Sequence, residues 1–111
     1  MESTRQQKVA RLQQKDLADI FLRYAKQQHG VLISVTEVRV SPDLSVSNVY
    51  LSIFPPQRAQ EIMEDILISA PQIRGELGQK ERFQLRIIPE LHFHLDTTLD
   101  QMEHIDELLG K

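Results

Sequence analysis

His92 and His94, with Asp96 two residues further on, offer the most conspicuous ligand spacing in the chain. On a strand all three share one face, and imidazole and carboxylate are ordinary zinc ligands. That face opposes the apolar set Leu91, Phe93 and Leu95, so the same spacing describes polar residues on the wet side of a half-buried strand. Two histidines without a fixed third ligand specify no metal, and no metal site is expected. His29 and His104 stand alone and read as helix-surface residues. Gly75-Glu76-Leu77-Gly78 has the Gly-x-x-Gly form of a loop that clamps a nucleic-acid backbone. Glu76 would repel phosphate, however, and too few residues precede Phe83 for the helix such a loop must open; Gly78 reads instead as a helix C-cap. The carboxylates fall on expected polar helix faces and form no pair for acid–base work. Neither a nucleophile elbow nor a phosphate loop is present, and the absence of cysteine excludes disulfides and thiolate metal sites. No catalytic residue and no cofactor are assigned, and the chain reads as a non-enzyme.

Cations carry the remaining chemistry. Arg5, Lys8, Arg11 and Lys15 recur three or four residues apart, which places them along one side of a helix where they could follow successive phosphates, although the pattern alone slightly favours an ordinary solvated face. Arg74, Lys80, Arg82 and Arg86 form a second basic group. The acids gather elsewhere, at Glu61, Glu64 and Asp65 and again at Asp96, Asp100, Glu103, Asp106 and Glu107. A net charge of −3 is therefore compatible with one positive face on an acidic molecule. With four Phe, two Tyr and no Trp there is little aromatic surface for base stacking. Backbone and shape contacts to folded RNA are the expected mode.

The elements that must position these residues follow from periodicity and punctuation. A chain of 111 residues is expected to form a single domain over 1–111, burying roughly 65% of its unfolded surface. Val9, Leu12, Leu17, Ile20, Phe21 and Tyr24 predict one amphipathic helix over 4–28, about 35 Å long. His29-Gly30 stops it, with glycine suited to the left-handed C′ position. Residues 31–40 are rich in β-branched side chains and change phase near Thr36-Glu37, which predicts a bulged strand. Ser41-Pro42-Asp43-Leu44-Ser45 is turn chemistry, and 46–54 supplies an antiparallel partner strand closed by Pro55-Pro56. Residues 57–70 predict a second helix. Pro71 forces Ala70 out of it and opens a short third helix to about Gln79. Phe83, Leu85 and Ile87, then Leu91, Phe93 and Leu95, keep one parity along a third strand interrupted at Pro89. A closing acidic helix over about 97–109 carries Leu99, Met102, Ile105, Leu108 and Leu109. Helix, strand, strand, helix, helix, strand, helix is an α+β order, with a three-stranded sheet covered by helices on one face. The first residues lack the apolar core of a signal peptide, and no apolar run reaches the ~20 residues of a membrane span. A cytoplasmic protein is the expectation.

Several segments together resemble the ribosome-binding factor A family. They are Arg5-x-x-Lys8-Val9 and Val35-Thr36-x-Val38-x-Val40-Ser41-Pro42-Asp43-Leu44, then Val49-Tyr50-Leu51-Ser52 and Ile73-Arg74, and finally Leu85-Arg86-Ile87-Ile88-Pro89-Glu90-Leu91-x-Phe93-x-x-Asp96. The resemblance runs from about Arg5 to the final helix. It implies a KH type II-like fold in which Gly-x-x-Gly is replaced by a kink between the two middle helices, here Ala70-Pro71-Gln72. It also implies a non-enzymatic role in ribosome biogenesis. The partners would be the immature 30S small subunit and its 16S rRNA, with assistance to 5′-end maturation of that RNA and support of growth in the cold. A ribosome-maturation GTPase is a further partner to consider, and the free protein is expected to be a monomer. The RNA-binding set is Arg5, Lys8, Arg11, Lys15, Arg74, Lys80, Arg82 and Arg86. Two departures from the family pattern stand out: the kink lacks its usual glycine, with Gln72 in its place, and no basic tail follows the acidic helix. The alternative reading is a KH-like protein-interaction module whose acidic C-terminal helix engages a basic ribosomal protein.

Overall fold

In the computed structural model, which describes residues 3–96, α1 runs from Thr4 to Lys26. A reciprocal capping box starts it: the Gln6 amide donates to Ser3 Oγ at 3.1 Å and the Ser3 amide donates to Gln6 Oε1 at 2.8 Å, satisfying two backbone donors that the helix itself leaves open. Val9, Ala10, Leu17, Ile20, Phe21 and Ala25 form its buried stripe. The helix ends two residues earlier than its periodicity predicts. Gln27 and Gln28 donate to the carbonyls of Tyr24 and Ala25 at 3.1 and 3.0 Å, three-residue bonds that tighten the last turn. Gly30 does adopt a left-handed conformation, φ 73°, but in the following turn rather than at C′. His29 stands exposed in that turn, off the helix.

Strand β1, Leu32–Val40, pairs antiparallel with β2, Val46–Phe54. The register shifts between Val35 and Glu37, leaving Thr36 as the extra residue of the predicted bulge. Because of that shift Ile33 and Val35 before it, and Val38 and Val40 after it, all turn toward the helices. On β2, Ser47, Val49, Leu51 and Ile53 are buried. After a 3₁₀ turn at Pro56–Arg58 the chain forms α2, Ala59–Ile68, then α3, Ala70–Glu81.

The break between these helices falls at Ser69, one residue before its expected place, and Ala70 opens α3. Ser69 serves both helices: its amide donates to the Asp65 carbonyl at 3.0 Å, and its carbonyl accepts from Ile73 at 2.9 Å. Pro71 has no N–H with which to continue the α2 ladder. α3 outruns the expected end at Gln79 by two residues, so Gly78 lies inside the helix rather than capping it. A Cβ added there would sit 3.6 Å from Ile88 Cγ1, an ordinary packing contact, so space alone does not require glycine at this position.

Strand β3 begins only after Pro89, at Glu90–Leu95. Pro89 is fully buried and cannot donate a ladder bond; the Glu90 amide makes the first one, to the Ser45 carbonyl at 2.8 Å. Phe83 and Ile87, expected on this strand, are 88% and 77% exposed in the preceding segment. β3 lies parallel to β2 at one edge of a sheet ordered β1-β2-β3. The expected α+β arrangement is thus observed, with α1, α2 and α3 packed over one face. The closing helix expected over about 97–109, and His104 within it, lie outside the described residues.

The buried residues form one continuous cluster. Leu17, Phe21, Val49, Leu51, Ile62, Ile66 and Leu77 have no exposed surface at its centre, each large side chain contributing about 1.5–3 kcal/mol by leaving water. Phe21 of α1 meets Phe93 of β3 edge-on, ring centroids 5.7 Å apart.

Candidate nucleic-acid interface

Burial of Gln6, Val9, Gln13 and Leu17 leaves Arg5, Lys8, Arg11 and Lys15 exposed along the outer flank of α1. Among the described residues none of these four cations has an ion-pair partner. The row spans about 15 Å at 1.5 Å per residue.

The second basic group divides. Arg86 joins Arg5 at a cleft of about 400 Å³ between the start of α1, the turn linking β1 to β2, and the segment before β3. Val9, Leu44, Leu85, Ile87 and Pro89 contribute apolar walls, and Asp43 stands at its edge. Residues from three of the segments that carry the family resemblance therefore meet here. Lys80 reaches α1 but lies 3.9 Å from Asp19, which offsets its charge. The Arg82 guanidinium lies over the exposed Phe83 ring, 4.6 Å from its centroid. Arg74 Nη2 donates to the Ile88 carbonyl at 2.7 Å, tying α3 to the segment before β3. It lines a shallow depression with Pro71, Gly75 and Ile88. At the kink, Pro71 and Gln72 are exposed and Ala70 is half-buried. Gln72 faces a separate hollow bordered by Tyr24 and Gln27 of α1 and by the Arg23–Glu76 pair, 3.2 Å apart.

The histidines share the open face of the sheet, as their alternation predicts. His94 Nε2 lies 2.9 Å from Asn48 Oδ1 with its ring stacked on Tyr50, and His92 Nε2 lies 3.5 Å from Glu90. Asp96 Oδ2 accepts from the Thr36 hydroxyl at 2.7 Å. Among the described residues no three His, Cys, Asp or Glu side chains converge on a metal-sized site.

Two polar features escaped sequence reasoning. Asp43 was legible as a turn residue but not as part of a cleft. Its Oδ1 accepts from Ser41 Oγ at 2.8 Å and from the Ser45 amide and hydroxyl at 3.1 and 2.7 Å. The Ser45 hydroxyl first, and then that of Ser41, hold its carboxyl below the ordinary range. Glu81 overturns the expectation that the carboxylates occupy polar helix faces: it is fully buried. It lies four residues beyond Leu77 and eight beyond Ile73, the buried stripe of α3, so its spacing carried the signal. Burial drives its carboxyl up to about 8; Asp16 pushes the same way, and Gln13 opposes them. Neither Glu81 oxygen meets a donor in hydrogen-bonding geometry. Burial and the nearby Asp16 both favour the neutral form of Glu81. Gln13 Oε1 meanwhile accepts from the buried Ser47 hydroxyl, linking α1 to β2.

The family model for Ribosome-binding factor A matches residues 5–109. The ribosome-binding factor A of Cytophaga hutchinsonii is 48% identical over 112 residues, covering 100% of this chain and 84% of that protein. That of Flavobacterium johnsoniae is 46% identical, covering 99% of this chain and 86% of its own length. The crystal structure of ribosome-binding factor A from Thermus thermophilus superposes with a TM-score of 0.67 at 21% identity, covering 81% of this chain and 94% of that one. A homology model of the Thermus thermophilus protein, fitted into a cryo-EM map of its complex with 30S, gives a TM-score of 0.60 at 23% identity over 77% of this chain and 88% of that one.

Proposed function

The chain belongs to the ribosome-binding factor A family, and on that premise we propose that it is a non-enzymatic assembly factor that binds the precursor of the small ribosomal subunit. It engages 16S rRNA and assists maturation of that RNA's 5′ end. The observation that carries this reading is the row Arg5, Lys8, Arg11 and Lys15, exposed on α1 and continued by Arg86 across the cleft. Arg74, Lys80 and Arg82 complete the contact set, with Arg74 and Lys80 also bracing the fold. The kink residues Ala70, Pro71 and Gln72 shape the join of α2 and α3. The 30S complex described for the Thermus thermophilus protein supports the choice of subunit. The protein works in the cytoplasm as a monomer, supports ribosome biogenesis in the cold, and meets a ribosome-maturation GTPase.

Phosphate contacts of this kind release counterions. Four of them give a log–log salt slope of about −3 to −4, or about 100-fold loss of affinity between 50 and 200 mM salt. The test is co-sedimentation with purified small subunits. Lys8→Glu with Arg11→Glu should abolish it while leaving the far-UV circular dichroism unchanged. A folded double variant that still co-sediments like the parent would remove α1 from the interface.

A further inference from the structure

We propose that the cleft between Arg5 and Arg86 holds one unpaired nucleotide of an RNA strand, with its phosphate on the two arginines and an exocyclic amine of its base on Asp43. The inference builds on the RNA-binding reading above and adds where a base is held and which bases fit. The cleft's volume, about 400 Å³, lies within the roughly 300–1,000 Å³ of small-ligand sites. Its two arginines come from distant parts of the chain, and among the described residues neither has an ion-pair partner. Val9, Leu44, Leu85 and Ile87 supply aliphatic walls suited to one base face rather than an aromatic run for several. Leu44 reaches this position from a left-handed backbone, φ 63°, that leucine rarely adopts.

Asp43 decides the kind of ligand. A carboxylate beside two arginines disfavours a bare polyanion, yet it suits a molecule that presents an anion at one end and hydrogen-bond donors at the other. The three bonds Asp43 receives from Ser41 and Ser45 all fall on Oδ1, so Oδ2 is available as an acceptor. Carboxylates accept from the N4 amine of cytosine; guanine and adenine also carry amines, and uracil carries none.

Fluorescence anisotropy on the full chain tests this, using fluorescein-labelled hexauridylate and the same strand with one central cytidine. The cytidine strand should bind about tenfold more tightly, and Asp43→Asn should bring the two within twofold. Arg5→Gln and Arg86→Gln should each weaken both strands and lower the salt slope by about one. Ile87→Ser, which leaves the turn untouched, should also weaken both strands and guards against misfolding of the Asp43 variant. Equal affinity for the two strands, or an Arg86→Gln variant binding like the parent, overturns the proposal. So does free 5′-CMP binding as tightly as the hexamer. If neither hexamer binds while the parent still co-sediments with small subunits, the cleft assignment falls and the assembly-factor reading stands. Loss of co-sedimentation in the arginine variants without RNA binding in any form would make the cleft a protein contact and overturn it equally.

Discussion

Glu81→Gln isolates the buried carboxyl that joins α3 to α1. In the folded chain this group is moved from its ordinary 4.5 up to about 8, by burial first and by Asp16 second. Between those values the folded state holds a proton that the unfolded chain has lost. Its contribution to stability is therefore fully present below about pH 4.5, declines as pH rises, and is gone above about pH 8. At about 1.36 kcal/mol per pH unit the whole window is worth roughly 5 kcal/mol at most, and water entry and relaxation of the two acids reduce this to about 2–3 kcal/mol. Glutamine keeps the shape and the neutral state, with an amide that can donate to Asp16. Glu81→Gln should thus match the parent within about 1 kcal/mol at pH 5 and exceed it by about 2–3 kcal/mol at pH 9, a gain of about 10 °C in Tm. Urea unfolding of both proteins at pH 5, 7 and 9, followed by circular dichroism, gives a difference in which other titrating groups cancel. A difference that stays constant with pH, or a variant weaker than its parent at pH 9, would refute the reasoning. Asp16→Asn should leave a shallower slope; if it removes the slope entirely, repulsion rather than burial is the dominant cause.

Gly75→Ala places a methyl in open space on exposed helix and should raise stability by about 0.5–1 kcal/mol without changing small-subunit co-sedimentation. Lost co-sedimentation would restore Gly75-x-x-Gly78 as a nucleic-acid clamp. Ser3→Ala breaks the capping box and should cost about 1 kcal/mol in urea unfolding; no change would mean that Gln6 holds the helix start through its bond to the Val40 carbonyl, 2.8 Å. Leu17→Ala empties a fully buried position and should cost about 2–5 kcal/mol, with a loss under 1 kcal/mol indicating that the core collapses around the gap.

Local chemistry was most legible where it was punctuated. The bounds of β2 agree with the expectation from 46 to 54, because Ser41–Ser45 and Pro55-Pro56 fence it on both sides. The bulge at Thr36 was visible as a change of phase among valines. The third strand is shorter than parity predicts, because Phe83 and Ile87 share parity with Leu91 and Phe93 while Pro89 cannot donate to a ladder. The cationic row on α1 followed from spacing alone, whereas the division of the second basic group did not. Lys80 meets Asp19 because of how α3 lies against α1, and Arg86 reaches the cleft beside Arg5 because of the path of the segment between α3 and β3. No local pattern encodes that placement. Glu81 is hidden for a related reason: its charge predicts exposure, while its spacing places it in the buried stripe of α3.

The extra residue of β1 is not needed to keep valines inward. A chain lacking Thr36 would run Val35, Val38 and Val40 toward the helices on an unbroken ladder. What Thr36 supplies is a lacing across the sheet: its single hydroxyl proton is directed to Asp96 beyond the far strand at 2.7 Å, with the Tyr50 carbonyl of the central strand as a competing acceptor at 3.2 Å. One hydroxyl thereby fastens the point where the chain leaves β3 to the opposite edge of the sheet. Thr36→Val would keep the irregular backbone and cut the lace, loosening β3 at its C-terminal end while the hairpin of β1 and β2 stays whole.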